Sequence, residues 1–277
     1  MLYICATPIG NLGDITFRAI ECLKTVDIIA CEDTRHTKKL LDSYDIKAKT
    51  TSYHQHNYVA KGDKLIEMLK NGAEVALVSD AGMPGISDPG EHLVKLCIQN
   101  NIEFTILPGA SAVTTALVRS GISTNGFIFI GFLPVKKGEA VGVINSVKGN
   151  PQTLVFYEAP HRILRTLGLL EQTLGDRQCC VSRELTKKFE EDVRGKISEV
   201  LEHFNQHEPR GEFVIVLEGA GAGAGAMLGS GLVEGDIDYS AEVERLINSG
   251  MKKSEAVKEV SAIYGIKKQD LYKRIKD

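Results

Sequence analysis

Residues 74–90 read EVALVSDAGMPGISDPG. The run Glu74–Ser79 is β-branched and aliphatic, and it stops at Asp80 in a loop carrying Gly82, Pro84, Gly85, Pro89 and Gly90. A short apolar run that ends in turn residues reads as a buried strand with a loop at its carboxyl end. The flanking segments repeat the pattern. Upstream, Leu2–Ala6 is a strand ending in a Pro/Gly turn. Asp14 is expected to cap a helix with apolar positions Phe17, Ile20 and Leu23. Strand Asp27–Cys31, helix Thr34–Tyr44, a weaker strand Ala48–Tyr53 and helix Val59–Lys70, with Leu65, Met68 and Leu69 on one face, follow. Downstream come helix Glu91–Gln99, strand Phe104–Leu107, Pro108-Gly109 and a further helix. Strands alternating with helices define an α/β domain with a largely parallel sheet.

The second half is also α/β, in a different order. Strands are expected at Phe127–Phe132, Thr153–Tyr157, Gln178–Arg183, Phe189–Gly195 and Glu212–Leu217. Helices are expected near Gly138–Lys148, at His161–Leu174 behind Pro160, and at Ile197–Asn205. Residues 219–231 then read GAGAGAGAMLGSG. This follows a strand and so imitates a dinucleotide loop, but the G-x-G-x-x-G register is absent, and linker composition is the better reading. Beyond it, helical patterns at Tyr239–Asn248, Ser254–Tyr264 and Lys267–Lys276 are separated by Gly250 and Gly265, a helix-turn-helix arrangement. The expected domains are 1–120 and 121–219, then a linker 220–235 and a helical appendage 236–277.

The 277 residues carry a net charge of -3 and are 43% hydrophobic, a soluble globular composition with no bulk polycation. Any nucleic-acid contact must come from local patches. The tail offers one: from Met251 to Lys276 eight basic residues stand against three acids. It is either a solvated helical surface or a nucleic-acid-docking appendage. The six cysteines form no C-x-x-C pair and lie in apolar runs, as expected of small hydrophobes in a reducing cytoplasm. MLYICATPIG has no basic n-region and too short an apolar stretch for a signal peptide or membrane span.

Three Gly/Pro loops follow strands: residues 7–14 (TPIGNLGD), 79–90, and 107–112 (LPGASA). Ligands of open α/β sheets bind outside the carboxyl ends of the strands. Loops of this kind at one sheet edge make a crevice walled by backbone, suited to a zwitterionic cofactor. No Walker A motif or G-x-S-x-G elbow occurs, which argues against triphosphate hydrolysis and serine hydrolysis. His54-x-His56 is half a metal site without further ligands, so no metal is expected.

Residues 7–16 (TPIGNLGDIT) resemble the opening motif of the RsmI family of 16S rRNA cytidine 2′-O-methyltransferases, within the tetrapyrrole methylase-like superfamily. Glu32-Asp33-Thr34-Arg35, Ser79–Gly90, residues 157–162 (YEAPHR) and residues 183–187 (RELTK) resemble the same family in order, over about residues 2–219. The wider superfamily opens with G-x-G-P-G and has Gly-Asp-Pro in its second loop. The departures here favour the RNA branch over small-molecule tetrapyrrole or corrin methylation; a non-catalytic RNA-binding protein with a vestigial cleft is the further alternative.

The resemblance implies two α/β domains of the class III methyltransferase type with S-adenosylmethionine in the cleft between them, and a homodimer acting on 16S rRNA of the small ribosomal subunit. One cofactor wall would be Pro8, Gly10, Asp80, Ala81, Gly82, Ile86, Ser87, Ser111 and Ala112. The other would be Tyr157, Glu158 and Ala159, with Glu218 and Gly219. A ribose hydroxyl is a poor nucleophile, so a general base would help. Glu184 with Lys187 is the favoured pair, and Glu32 and Asp33 are further candidates; Asp33 serves equally well as the cap of the next helix. Arg35, Arg162 and Arg183, with His161, are the candidate RNA contacts, because guanidinium binds phosphate bidentately.

Overall fold

The computed structural model describes residues 1–221, 239–248, 251–264 and 268–274. In the first half, β1 (Leu2–Cys5), β2 (Ile28–Cys31), β3 (Thr50–Ser52), β4 (Val75–Val78) and β5 (Phe104–Leu107) form a sheet in the order β3-β2-β4-β1-β5. Every neighbouring pair is parallel. Helices α1 (Phe17–Thr25) and α2 (Thr34–Ser43) cover one face, setting Ala19, Leu23 and Leu41 against Cys5, Ile29 and Val78. Helices α3 (Tyr58–Lys70) and α4 (Gly90–Gln99) cover the other, setting Leu65, Leu69 and Leu93 against Leu2, Ile4 and Leu77. Cover on both faces is why β4 is apolar throughout rather than alternating.

The second sheet runs β6 (Phe127–Phe132), β7 (Thr153–Glu158), β10 (Phe213–Leu217), β8 (Gln178–Arg183), β9 (Glu191–Lys196). Only β6 and β7 are parallel; β10 lies antiparallel to both β7 and β8. Helices α6 (Lys137–Ser146), α7 (Ile163–Leu174) and α8 (Ile197–Gln206) pack Ile144, Leu167, Leu170 and Val200 on one face. The other face receives α5 (Ala112–Ser120) from the first half: Val113, Ala116 and Leu117 bury against Val155, Cys180, Val214 and Val216. The helix that follows β5 is therefore the wedge joining the two sheets.

Three local expectations are corrected. The cap of α1 is Thr16, whose Oγ1 accepts the Ala19 N–H at 3.1 Å, while Asp14 closes a short turn capped by Asn11. Phe17, one step inside that cap, faces outward at 88% exposure instead of joining the apolar stripe. Helix α7 starts at Ile163, so His161 sits in the preceding turn.

All six cysteines are free. By internal contacts the chain divides into residues 1–228 and 229–277. In the second unit, α9 (Tyr239–Asn248), α10 (Lys253–Tyr264) and α11 (Lys268–Arg274) share an apolar core of Val243, Ala256, Val257, Val260 and Leu271. The expected helix stops Gly250 and Gly265, basic residues Lys267 and Lys276, and the linker beyond Gly221 lie outside the described residues. Among the described residues no helix is long and apolar enough to cross a membrane.

Candidate active site

The loops after β1, β2, β4 and β5 leave the first sheet at its carboxyl edge and face the end of the second sheet where β7 finishes and β10 begins. Two adjoining cavities lie there. The first, of about 370 Å³, is walled by Glu32, Ala81, Ile86, Ser87, Asp88, Ser111 and Ala112 on one side and by Phe132, Tyr157–Pro160, Leu185 and Glu212–Val214 on the other. The second, of about 430 Å³, is walled by Pro8, Gly10, Asp80, His36, Lys39, Lys187 and Glu212, among others. Both fall within the size range of small-molecule sites, roughly 300–1,000 Å³.

The loop after β4 is held in shape by Asp88. Its carboxylate accepts the N–H groups of Gly85 at 2.8 Å and Gly90 at 2.7 Å. A Cβ on Gly90 would come within 2.7 Å of the Gly85 nitrogen, so that turn demands glycine. Ser87 is driven to φ +66 at the cavity wall. The loop is tied to the one after β1 by a two-way bridge: Thr7 N–H donates to Gly82 O at 2.9 Å and Gly82 N–H to Thr7 O at 3.1 Å.

The seam with the second sheet is equally close. Asn11 N–H donates to Thr186 Oγ1 at 2.9 Å. Glu184 and Thr186 have φ of +50 and +64, outside any helix end. Asp45 and Asn101, the remaining non-glycine residues with positive φ among those described, simply follow helices α2 and α4. Strain in residues without a helix-ending role gathers at the cleft, as it does at functional sites. Lys187 Nζ lies 3.0 Å from Glu184 Oε1 and 3.1 Å from Glu212 Oε2.

The first cavity is acidic. Burial, then the nearby charges of Asp88 and Asp80, push the Glu32 carboxyl up to about 7, against one hydrogen bond from Asp80 N–H that favours the ionised form. Tyr157 stacks edge-on with Phe129 at 4.9 Å, and burial pushes its phenol up to about 12, so the ring stays neutral.

The expected site residues separate into groups. Ala81, Ile86, Ser87, Ser111, Ala112, Tyr157, Glu158, Ala159 and Glu32 line the first cavity. Pro8, Gly10, Asp80 and Lys187 line the second. Gly82 stands behind them in the Thr7 bridge.

Glu218 and Gly219 are at the wrong end of the sheet. Because β10 is antiparallel to β7, Phe213 pairs with Glu158 at the cleft and Leu217 with Leu154, roughly 13 Å away along the strand. Glu218 N–H bonds Gln178 O, and Gly219 packs on the Pro151 carbonyl.

Glu184 lies beneath Lys187 and walls neither cavity. Asp33 is the cap of α2: it accepts Arg35 N–H at 2.8 Å and pairs with the Arg35 guanidinium, which holds its carboxyl at about 2. Glu158 is turned inward, accepting Thr166 Oγ1 and Ala159 N–H and pairing with Arg162 at 3.4 Å. Arg162 also donates to Leu133 O at 2.5 Å, so it braces the protein interior and is not free for phosphate. Arg183 is paired with Glu191 at 2.6 Å. Arg35, with an 89% exposed side chain, and exposed His161 remain accessible. Glu212, Phe213, Leu185 and Asp88 line the site without having been expected there. Asp88, inside a Gly/Pro loop, and Leu185, inside residues 183–187, carried a local signal; Glu212 and Phe213 carried none. His54 and His56 hydrogen-bond within their own loop. Among the described residues no group of three or more His, Cys, Asp or Glu could hold a metal ion.

An all-parallel sheet and a mixed sheet facing each other over a cleft define the class. Residues 1–201 match the family model described as Tetrapyrrole (Corrin/Porphyrin) Methylases. The crystal structure of Uroporphyrin-III C-methyl transferase from Thermus thermophilus, complexed with S-adenyl homocysteine, superposes with a TM-score of 0.58 over 78% of this chain and 96% of that one, at 16% identity, a likeness of fold. The protein named Ribosomal RNA small subunit methyltransferase I of Bacillus subtilis (strain 168) is 44% identical over 98% of this chain and 92% of that one. The protein of the same name from Streptococcus pyogenes serotype M1 is 44% identical over 100% and 94%. The chain belongs to the tetrapyrrole methylase family, in its branch of ribosomal RNA small subunit methyltransferase I proteins.

Proposed function

We propose that the protein transfers a methyl group from S-adenosylmethionine to the ribose 2′-hydroxyl of a cytidine in 16S rRNA of the small ribosomal subunit. The observation that carries this reading is identity of 44% over nearly the whole of proteins named for small-subunit rRNA methylation. The first cavity fits the donor. Glu32 and Asp88 supply negative charge for a sulfonium and an ammonium, Tyr157 and Phe132 an aromatic wall, and Ala81 and Ala112 room for close approach. The donor brings an already activated methyl group. What the protein adds is alignment of that methyl with the hydroxyl, a contribution of roughly 7–11 kcal/mol at its best. Arg35 and His161 are the accessible phosphate contacts from the expected set, and the helical unit 229–277 is a second handle on RNA.

In this reading residues 1–120 and 121–219 are the two cofactor-binding domains, 220–235 links them to a helical domain 236–277, and the protein is a cytoplasmic homodimer. The test is incubation of labelled donor with small subunits lacking the mark, beside a porphyrinogen. Label in RNA alone supports the reading; label in the porphyrinogen alone contradicts it.

A further inference from the structure

The two cavities differ in charge and share a wall. Glu32 and Asp88 line the first, where Glu158 is turned inward to Arg162, and among the described residues no Lys, Arg or His lines it. His36, Lys39 and Lys187 line the second, together with the acids Asp80 and Glu212. An acidic chamber suits a cationic donor, whereas lysines suit a ribose flanked by phosphates. Ile9, Ser79, Ala81 and Glu212 line both cavities, and Glu212 is the one ionisable residue among these four. Any group passing between donor and acceptor must cross that shared wall.

We propose that the second cavity receives the acceptor ribose and that Glu212 is the general base that takes its 2′-hydroxyl proton. This rests on the methyl-transfer reading above. The position of Glu212 is over-determined. Its N–H donates to Glu184 Oε1 at 3.3 Å, its carbonyl accepts Glu184 N–H at 3.2 Å, and its carboxylate pairs with Lys187 Nζ at 3.1 Å. Gly211, at φ +83, lets the Glu184 side chain lie over the backbone there.

In the step, the hydroxyl oxygen forms a bond to the methyl carbon. The carbon–sulfur bond breaks with its electron pair going to sulfur, and the hydroxyl proton goes to the Glu212 carboxylate. The Glu212 side chain is 78% exposed, so it returns the proton to water. Glu184 and Lys187 are positioning residues in this scheme. Glu32 lines the donor cavity alone and does not reach the acceptor side.

The experiment compares wild type with E212Q, E212D and E212A. Single-turnover methylation of small subunits lacking the mark is followed from about pH 5 to about pH 9. Donor affinity is measured by calorimetry. Equilibrium affinity is measured for an RNA fragment carrying the target cytidine as ribose or as 2′-deoxyribose.

E212Q should lose at least about 100-fold in rate across this pH range, with E212D retaining part of the wild-type rate. Donor affinity should stay within about threefold; wild type should prefer the ribose fragment to the deoxyribose fragment by about fivefold, and E212A should lose that preference. An E212Q rate within about threefold of wild type at every pH overturns the proposal, as does a fall in donor affinity that accounts for the rate. Thermal unfolding of each variant identifies misfolding, in which case E212D decides. If wild type transfers no methyl to small subunits, the functional reading fails; if wild type transfers methyl and the variants match it, the role of Glu212 alone fails.

Discussion

Gly10 and Lys187 meet across the seam between the two sheets: a Cβ on Gly10 would stand 2.5 Å from Cγ of Lys187, and 2.8 Å from the carbonyl oxygen of Leu185. The lysine side chain can swing aside, but the Leu185 backbone cannot without opening the strained loop at 184–186. Gly10→Ala is expected to cost about 1–3 kcal/mol of stability by overpacking. It should also lower donor affinity, because Leu185 lines the first cavity. Urea unfolding and calorimetry read the two effects, and unchanged values in both would show that the seam is loose.

Asp88 is expected to be the keystone of the loop after β4. Asp88→Ala strips the acceptor from Gly85 and Gly90, leaving two backbone donors that must find water, at roughly 1–3 kcal/mol. Hydrogen exchange at both amides should accelerate, and donor affinity should fall at least about tenfold as Ile86 and Ser87 lose their positions. Asp88→Asn keeps an acceptor and should recover part of the loss.

Arg162 and Arg35 are expected to behave in opposite ways, although both read as phosphate ligands in the sequence. Arg162→Ala abandons the 2% exposed Glu158 and two backbone carbonyls, a change that costs about 3–5 kcal/mol when a buried charge loses its partner. RNA affinity of the folded variant should be unchanged. Arg35→Ala should leave stability alone, weaken RNA binding, and reduce the salt slope by about 1. Chemical denaturation and salt-titrated binding separate the two.

Glu32 gives donor binding a pH signature. Its carboxyl, ordinarily near 4.5, is held up to about 7 by burial and then by Asp88 and Asp80. The folded, donor-free protein therefore binds more protons than the unfolded chain between those values, and its stability falls as pH rises through that window. A cationic donor favours the ionised form, so binding at about pH 6 should release protons and tighten as pH rises towards 7. Calorimetry in buffers of different ionisation enthalpy measures the release. It should be smaller for S-adenosylhomocysteine, which lacks the sulfonium charge, and absent in Glu32→Gln.

Local chemistry explains which parts were legible in the sequence. Apolar runs closed by Gly or Pro marked β4, β5 and β6 to within a residue or so, because the runs and their turns carry the signal themselves. Phe17 misled because an apolar residue one step past a cap looks like core, while its direction depends on the cap being Thr16 rather than Asp14. Glu218 and Gly219 misled because strand direction is a long-range property: nothing in residues 212–219 says that β10 runs antiparallel to β7. For the same reason the functional end of that strand, at Glu212 and Phe213, was invisible. Glu184 and Lys187 read as a pair in the sequence, but only the fold shows that their partner, Glu212, is the member that lines both cavities.

Methylation of small-subunit RNA in this cleft is tested by mass-spectrometric mapping of 16S rRNA after unmodified small subunits are treated with enzyme and S-adenosylmethionine. A single new methyl group is expected, on the ribose of one cytidine. A methyl group on a base, or RNA that stays unmodified while a porphyrinogen is methylated, would contradict it.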